Sequence, residues 1–315
     1  MLAQAWVSIF VGVLSALIAA LALVVSTPLQ YILSRRTLEH KLKSEYEYEQ
    51  RKELRALIGR YHGRLVEAAD QWRNRMNNLY DHQVERRLAV DGRYDARHYY
   101  FGTTVYRFMT LAALARQFES EAFYLDARIA EKSDLDVLKY VKAFRWLMTD
   151  LDLVRGLEYE PWEARDHFLN DRYRGLCDAF APGGVLPSLA EFEARAGVDP
   201  ALDPALCFFD GLHADEDRLR WDRLVTHHLL VMAFLNLAGY DMQHSDDERL
   251  ERAVRELRNP VVGANLVHAI DRLGLADEPN AQTVKEALCA RPDVAEPPDR
   301  PADLSVPQKL LPVDA

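Results

Sequence analysis

The sequence predicts an all-α protein with an N-terminal single transmembrane helix that continues into a long stalk helix and a cytoplasmic multi-helix bundle. Two observations carry the prediction. Segments rich in Leu, Ala, Glu and Arg recur with apolar residues three and four positions apart, which is the period of an amphipathic helix. Segments of alternating apolar and polar residues, which half-buried strands require, do not recur along the 315-residue chain.

The first predicted element is a membrane anchor over residues 1–34. Residues 2–34 contain no charged side chain, and the first charges are Arg35 and Arg36. About 20 apolar residues in a helix cross a hydrocarbon core of roughly 30 Å. A cleaved signal peptide is the alternative, but it needs a basic N-terminal region, and no basic residue precedes this segment. We therefore expect an uncleaved anchor.

The charges that flank the anchor predict its orientation. Basic residues follow the apolar segment, whereas the other end carries only the amine of the chain, and basic flanks stay on the cytoplasmic side. We expect four of these cations to face the lipid surface: Arg35, Arg36, Lys41 and Lys43. The bilayer of a bacterial inner membrane is thus a predicted partner, with the N-terminus outside and the remaining chain cytoplasmic.

Small residues recur every four positions in the predicted span, at Ser8, Gly12, Ala16 and Ala20. A stripe of small side chains lets two membrane helices approach closely. The alternative is that Ala and Gly are simply common in membrane helices. From the stripe we predict a homo-oligomer or a complex with a protein partner.

Residues 35–184 are predicted to form the stalk helix and a first helical bundle. The membrane-proximal part of the stalk is polar, whereas apolar residues line one face from Leu54 to Leu79. Trp72 and Tyr61 on that face favour packing onto a bundle over a narrow coiled-coil seam. Further helices are expected over 98–127, from the capping signal of Ser133 and Asp136, and from Pro161 to Pro182.

Residues 185–290 are predicted to form a second helical unit packed on the first. Capping boxes are expected at Ser188 with Glu191 and at Ser245 with Glu248. Helices are expected over 214–238, 260–273 and 280–289. The tail, 291–315, has six prolines and almost no apolar spacing, so we predict that it is disordered.

Charge is distributed unevenly along the chain. Residues 35–75 hold 11 Lys and Arg against 7 Asp and Glu, whereas the whole chain has a net charge of −10. A basic segment beside the anchor is attracted to anionic lipid. The acidic remainder repels nucleic acid, so we expect no nucleic-acid partner.

Motif searches exclude the common catalytic frameworks. The sequence has no GxxxxGK[ST] phosphate loop, no GxGxxG, no HExxH and no GxSxG. Its three cysteines form no CxxC pair, which excludes zinc ribbons and suits a reducing cytosol. We expect no cofactor and no catalytic residue, and an enzyme is the less favoured class.

Histidines and carboxylates cluster between residues 210 and 247. These side chains suit divalent cations, so a metal-dependent hydrolase is one alternative. The weak candidate ligands are His213, His227, His244 and Asp241. The spacing is not specific to a metal site. His228 lies on an apolar stripe, where a histidine is typically a hydrogen-bonded residue of the core. No metal is therefore predicted.

The stretch from Arg93 to Phe108 concentrates aromatic and basic residues. Such side chains can stack a base and hold a phosphate, but they also cover bundle ends and form interfaces. The candidates for a ligand site or an interface are Arg93, Arg97, His98, Tyr99, Tyr100, Tyr106 and Arg107. A second basic set lies on the stalk helix, where a solvated helix face is an equal explanation: Arg60, His62, Arg64, Arg73 and Arg75.

These features together predict a single-pass inner-membrane protein whose helical domain acts as a scaffold or sensor by binding and self-association. The layout is similar to that of bacterial single-span accessory proteins, including some membrane effectors of anti-phage systems. That resemblance implies one alternative, a membrane-disrupting effector activated by oligomerisation. The hydrolase with the cluster at 210–247 is the other.

Overall fold

The computed structural model describes residues 2–95, 97–123, 130–159 and 166–294, without the side chains of residues 2–9, 11 and 18–34. Helix accounts for 74% of the protein, and the described residues contain no strand. The prediction of an all-α protein is therefore confirmed.

The α-helices follow one another along the chain with short 3-10 turns between several of them. They are α1 (Leu2–Asp81), α2 (Tyr99–Ala122), α3 (Lys132–Thr149), α4 (Asn170–Phe180), α5 (Leu189–Arg195), α6 (Asp203–Phe209), α7 (Arg220–Ala238), α8 (Asp247–Arg255), α9 (Pro260–Arg272) and α10 (Pro279–Cys289).

Contacts divide the described chain into two compact units. The first comprises residues 2–56 of α1 together with Ala130. Most side chains from Arg35 to Glu53 are exposed, and ion pairs three or four residues apart link them, such as Arg35 with Glu39 at 2.9 Å. Each pair of this kind contributes about 0.2–0.5 kcal/mol to an exposed helix. The predicted polar stalk thus has local support for its helical structure.

Within the part of the chain that the structure describes, no helix combines the length and the apolar character that a membrane crossing requires. Gly12 and Ala16 of the predicted association stripe are exposed. The side chains of Ser8 and Ala20 lie outside the described ones.

The second unit comprises the described residues from 57 onward, except Ala130. Its centre is α7, in which every residue from Arg220 to Leu235 is buried. A helix that is enclosed on all sides requires neighbours around its whole circumference, and α3, α8, α9 and α10 all pack against it. The predicted apolar stripe of α1 also faces this core, where Leu57, Tyr61 and Trp72 are buried.

Aromatic rings fill the centre of the second unit. Trp72 lies 5.3 Å from Phe108 and 6.1 Å from Phe209 between ring centroids, with edge-to-face geometry in both pairs. Phe144 meets Phe234 edge to face at 5.5 Å. Pairs of this geometry add about 0.5–1.5 kcal/mol each beyond the burial of their area. They join α1, α2, α3, α6 and α7 in one core.

The predicted helix starts have mixed outcomes. The capping box of Ser188 and Glu191 is confirmed at the start of α5. The one at Ser245 is wrong by one residue, because the Asp246 carboxylate accepts the Arg249 N–H instead. The capping signal at Ser133 is also wrong, since α3 begins at Lys132, two residues before the start that a Ser133 cap predicts, and Glu131 makes no capping hydrogen bond there. At α8, the carboxylate next to Ser245 is an equally good acceptor, so spacing alone does not choose between the two residues.

Two predicted helix ends are wrong: α2 ends at Ala122 rather than near residue 127, and α4 begins only at Asn170, after the non-helical residues 166–169. Several other predicted boundaries have no test. The expected domain boundary near Gly184 falls inside the second unit and stays a prediction. Pro161 itself and the tail from residue 295 onward lie outside the described residues.

Candidate functional site

A small basic and aromatic cleft with an internal volume of about 10 Å³ lies in the second unit, where α1 ends. Its apolar side chains come from α1, α7 and two connecting segments. Its polar and charged side chains come from the segment after α1, from α2 and from the segment before α7. The residues that line the cleft are Leu79, His82, Gln83, Arg86, Arg87, Leu88, Tyr100, Leu212, His213 and Trp221.

The backbone after α1 places two adjacent arginines at the cleft. A 3-10 turn over Gln83–Glu85 follows α1, and Arg86 then adopts a left-handed conformation with φ 45°. Positive φ is uncommon for a residue other than glycine and carries a conformational cost. After this left-handed residue, the Arg87 guanidinium lies beside Tyr100 at the start of α2.

Tyr100 is the aromatic centre of the basic cluster. The guanidinium carbon of Arg75 lies 4.3 Å from the Tyr100 ring centroid, and that of Arg87 lies 5.2 Å from it. The Tyr100 hydroxyl donates to the Asn78 side-chain oxygen at 2.8 Å. The distances from the Arg75 and Arg87 guanidinium carbons to the ring centroid fall within the range of cation–π attraction, which holds both cations beside the Tyr100 ring.

Arg75 is buried beneath the cleft without a carboxylate partner among the described residues. Its Nη2 donates to the Thr103 hydroxyl at 2.7 Å, and its buried Nε has no hydrogen-bond partner in the described chain. Burial lowers the pKa of Arg75, and the nearby charge of Arg107 lowers it further. The positive charge of Arg75 is therefore incompletely neutralised by the protein.

Glu85 neutralises part of the remaining charge. Its carboxylate pairs with Arg87 and, at 2.9 Å, with Nδ1 of His82. Arg87 and then His82 lower the pKa of Glu85 through these hydrogen bonds. On the other side of the cleft, Gln83 bonds to the Glu256 carboxylate at 2.5 Å. The cations of the cleft still outnumber its carboxylates, so it favours an anion over a cation.

The aromatic and basic stretch of residues 93–108 does not form one pocket. Tyr100 lines the cleft, and Arg107 lies near Arg75 on the same face of α2. Tyr106 faces away, since its hydroxyl donates to the Pro187 carbonyl at 2.9 Å. The other members lie outside the cleft: Arg93 and Tyr99 are exposed, and Arg97 and His98 pair with Asp95.

The weak metal candidates are dispersed. Within the described ranges, no group of three or more His, Cys, Asp or Glu side chains is placed to hold a metal ion. His227 is buried, and burial lowers its pKa to about 3. The His213 Nδ1 accepts the Asp215 N–H at 3.1 Å, whereas His244 and Asp241 lie beyond the end of α7.

The second basic set is also divided. Arg60 pairs with Glu121 at 2.6 Å, and Arg73 pairs with Asp70 at 2.5 Å, so both are neutralised. Arg75 alone of this set contributes to the cleft. Sequence reasoning did not select Arg86 and Arg87, although two adjacent arginines in a polar break between helices were a visible signal.

Comparisons with known proteins identify no relative of this chain. Protein-family models, curated proteins and solved structures all lack a match to the chain. Function is therefore argued from the chemistry of the site itself.

Proposed function

We propose that the protein is a single-pass membrane protein whose cytoplasmic helical domain acts as a sensor or scaffold, with the cleft at the end of α1 as its binding site. The observation that carries the binding site is the arrangement of Arg75 and Arg87 around the Tyr100 ring. A cationic and aromatic cluster on a chain of net charge −10 selects for an anionic ligand, because the remaining surface repels anions.

The proposed anchor has its support in residues 2–34. They contain no charge, and the described side chains of Phe10, Val13, Leu14 and Leu17 are exposed, with Phe10 72% exposed. Contiguous exposed apolar side chains of this size mark a surface that contacts lipid or another protein. The four cations from Arg35 to Lys43 then favour an anionic leaflet and a cytoplasmic domain.

Phosphate and carboxylate groups are the anions that this cleft would recognise. Guanidinium groups form paired hydrogen bonds with either. A nucleotide carries phosphates together with a base. We therefore choose ATP and inorganic phosphate as probes, because the pair separates recognition of the base from recognition of the phosphates.

The test of binding uses the full chain in detergent and calorimetric titration with each probe. Arg87→Gln removes a cleft cation and should weaken ATP binding at least tenfold, since a charged hydrogen bond contributes about 1.5–3 kcal/mol. Arg93→Gln is the matched control, because Arg93 is an exposed arginine outside the cleft. Equal affinities of the two variants, or no binding of either probe to the unmodified chain, would refute the assignment of the cleft.

The test of anchoring and self-association is separate. We expect the chain to remain with the membrane after an alkaline wash. Gly12→Leu with Ala16→Leu should lower the mass of the detergent-extracted assembly in light scattering, because bulky side chains separate closely packed helices. Release by the wash would refute the anchor, and an unchanged mass would refute self-association through this stripe.

A further inference from the structure

Arginines cap the C-terminal ends of several helices in the second unit. The guanidinium of Arg195 donates to the Ala179 carbonyl of α4 at 2.6 Å, and that of Arg291 donates to the Val254 carbonyl of α8 at 2.8 Å. Arg220 donates to the Phe208 carbonyl of α6 at 2.6 Å. The last carbonyls of a helix lack partners within it and carry partial negative charge, so a cation is favourable there.

Arg223 caps α3 in the same manner. Its Nη1 donates to the carbonyls of Leu147, at 2.5 Å, and Asp150, at 3.0 Å. The other three arginines each also pair with a carboxylate: Asp199, Glu216 and Asp293. Arg223 has no such pair among the described residues, and its buried Nε and Nη2 lack any hydrogen-bond partner there.

The missing partner matters because Arg223 is only 1% exposed. An unpaired charge that is removed from water costs several kcal/mol, so proteins almost always compensate it. The nearby carboxylates are already engaged. Asp166 accepts from Arg218 Nε at 3.0 Å, and Asp150 accepts the Asp152 N–H at 2.8 Å.

Two further polar side chains, near enough to Arg223 for its charge to act on them, lack partners among the described residues. His167 is 1% exposed, and neither of its ring nitrogens has a hydrogen-bond partner in the described chain, nor does the buried Tyr159 hydroxyl. The two rings meet edge to face at 5.9 Å. The charge of Arg223 acts on both, since it adds to burial in lowering the pKa of His167 and opposes the rise that burial causes in the pKa of Tyr159.

We propose that a small oxyanion of the phosphate or carboxylate class binds between Arg223, His167 and Tyr159. The Nε and Nη2 groups lie on one edge of the guanidinium and match two oxygens of such an anion. The Tyr159 hydroxyl and one imidazole N–H supply further donors. The unpartnered groups are thus predominantly donors around one cation, which is the chemistry that an anion completes.

The experiment follows thermal unfolding of the full chain in detergent while inorganic phosphate is added, with chloride at equal ionic strength as reference. We expect the unfolding temperature to rise with phosphate and to saturate. Tyr159→Phe removes a buried hydroxyl without a partner among the described residues, so it should not lower the unfolding temperature without phosphate. The variant should need about tenfold more phosphate to reach half of the saturating rise in unfolding temperature.

Arg223→Lys keeps the charge but loses the two-nitrogen edge, so we expect it to abolish the phosphate shift that remains when Arg87→Gln has weakened the cleft. Arg291→Lys is the matched control, because it changes another helix-capping arginine that has its own carboxylate, and it should retain the shift. Arg87→Gln should retain it too, which separates this site from the proposed cleft. If Arg223→Lys does not fold, Tyr159→Phe decides.

Three results would overturn the proposal: no saturable shift in the unmodified chain, an equal shift in Arg223→Lys, or an unchanged midpoint in Tyr159→Phe. A loss of stability on changing both Glu160 and Glu163 to Gln, together with no phosphate shift, would instead assign the counter-ion to a carboxylate of the chain next to Tyr159. Repeating the titration with acetate distinguishes the two anion types. A phosphate site gives no rise in unfolding temperature with acetate, whereas a carboxylate site does.

Discussion

The Trp72 indole donates its Nε1 hydrogen to Nδ1 of His227 at 3.2 Å in the core of the second unit. Both side chains are buried. Since Nδ1 accepts, the proton of the neutral imidazole resides on Nε2. The bond joins α1 to α7 and gives a buried indole N–H the acceptor that it needs.

Replacing His227 with Phe should destabilise the protein. Phenylalanine fills the space but leaves the Trp72 N–H without an acceptor, and a buried unsatisfied donor costs about 1–3 kcal/mol. We expect that loss in the free energy of unfolding, measured with urea at pH 7. Combining it with Trp72→Phe should cost less than the sum of the two single changes, because the second removes the unsatisfied donor. Strict additivity would show that the bond contributes nothing.

His228 should make the protein less stable in acid. Burial lowers its pKa to about 3, with smaller contributions from the charges of His227 and Arg73. The unfolded chain binds a proton near pH 6.5 that the folded protein does not accept. The contribution of neutral His228 to the free energy of unfolding is therefore fully present above pH 6.5. It is lost as the pH falls toward 3, by up to about 1.4 kcal/mol per pH unit.

His228→Gln tests this slope. The Gln carbonyl can accept from the Tyr80 hydroxyl, which lies 2.9 Å from the His228 Nδ1, and it does not titrate. Urea unfolding at intervals from pH 4 to pH 7 should give a shallower loss of stability in the variant, by about one proton. An unchanged slope would mean that His228 is protonated in the folded protein over this range.

Asp222 should act in the opposite direction. Burial raises the pKa of Asp222 to about 6, although the carboxylate accepts the N–H groups of Arg258, at 2.6 Å, and Asn259, at 3.3 Å. Between pH 4 and pH 6 the folded protein holds a proton that the unfolded chain releases. This group therefore lowers stability as the pH rises through that range.

Asp222→Asn removes that opposing contribution and retains an acceptor oxygen. We expect the loss of stability in acid to become steeper by about one proton, the reverse of the effect of His228→Gln. The same urea series measures both variants. A slope equal to that of the unmodified chain would show that Asp222 stays ionised down to its ordinary pKa.

Asp210 should stabilise the turn that precedes α2. Its carboxylate accepts the backbone N–H groups of Val90, Asp91 and Gly92 at 3.0, 3.2 and 2.7 Å. Asp91 and Gly92 have positive φ, so the three N–H groups converge on one side. Asp210→Ala leaves them without this acceptor and should cost about 1–3 kcal/mol in urea unfolding.

Asp217→Ala is the control for Asp210, because Asp217 is an exposed carboxylate of the same region. It should change stability by less than about 0.5 kcal/mol. An equal effect of the two substitutions would attribute the loss to net charge rather than to the turn.

Local patterns made much of the fold predictable. The three-and-four spacing from Leu54 to Leu79 identified the buried face of α1. The helices expected over 260–273 and 280–289 correspond to α9 (Pro260–Arg272) and α10 (Pro279–Cys289). The start of the helix expected from Pro161 to Pro182 was not predictable in this way, since the described residues 166–169 are not helical and α4 begins only at Asn170. Several side chains within one or two residues of a helix start can accept its first N–H groups, and the packing of the helix determines where it begins.

The sequence by itself determined the helical class, the uncharged N-terminal segment and the polar stalk, because each depends on the composition and period of adjacent residues. Only the tertiary structure decided that Tyr100 meets Arg75 and Arg87 while Tyr106 faces away, and that buried nitrogens of Arg223 and His167 lack partners among the described residues. These contacts join residues far apart in the chain, and their formation depends on how the helices pack rather than on any local pattern.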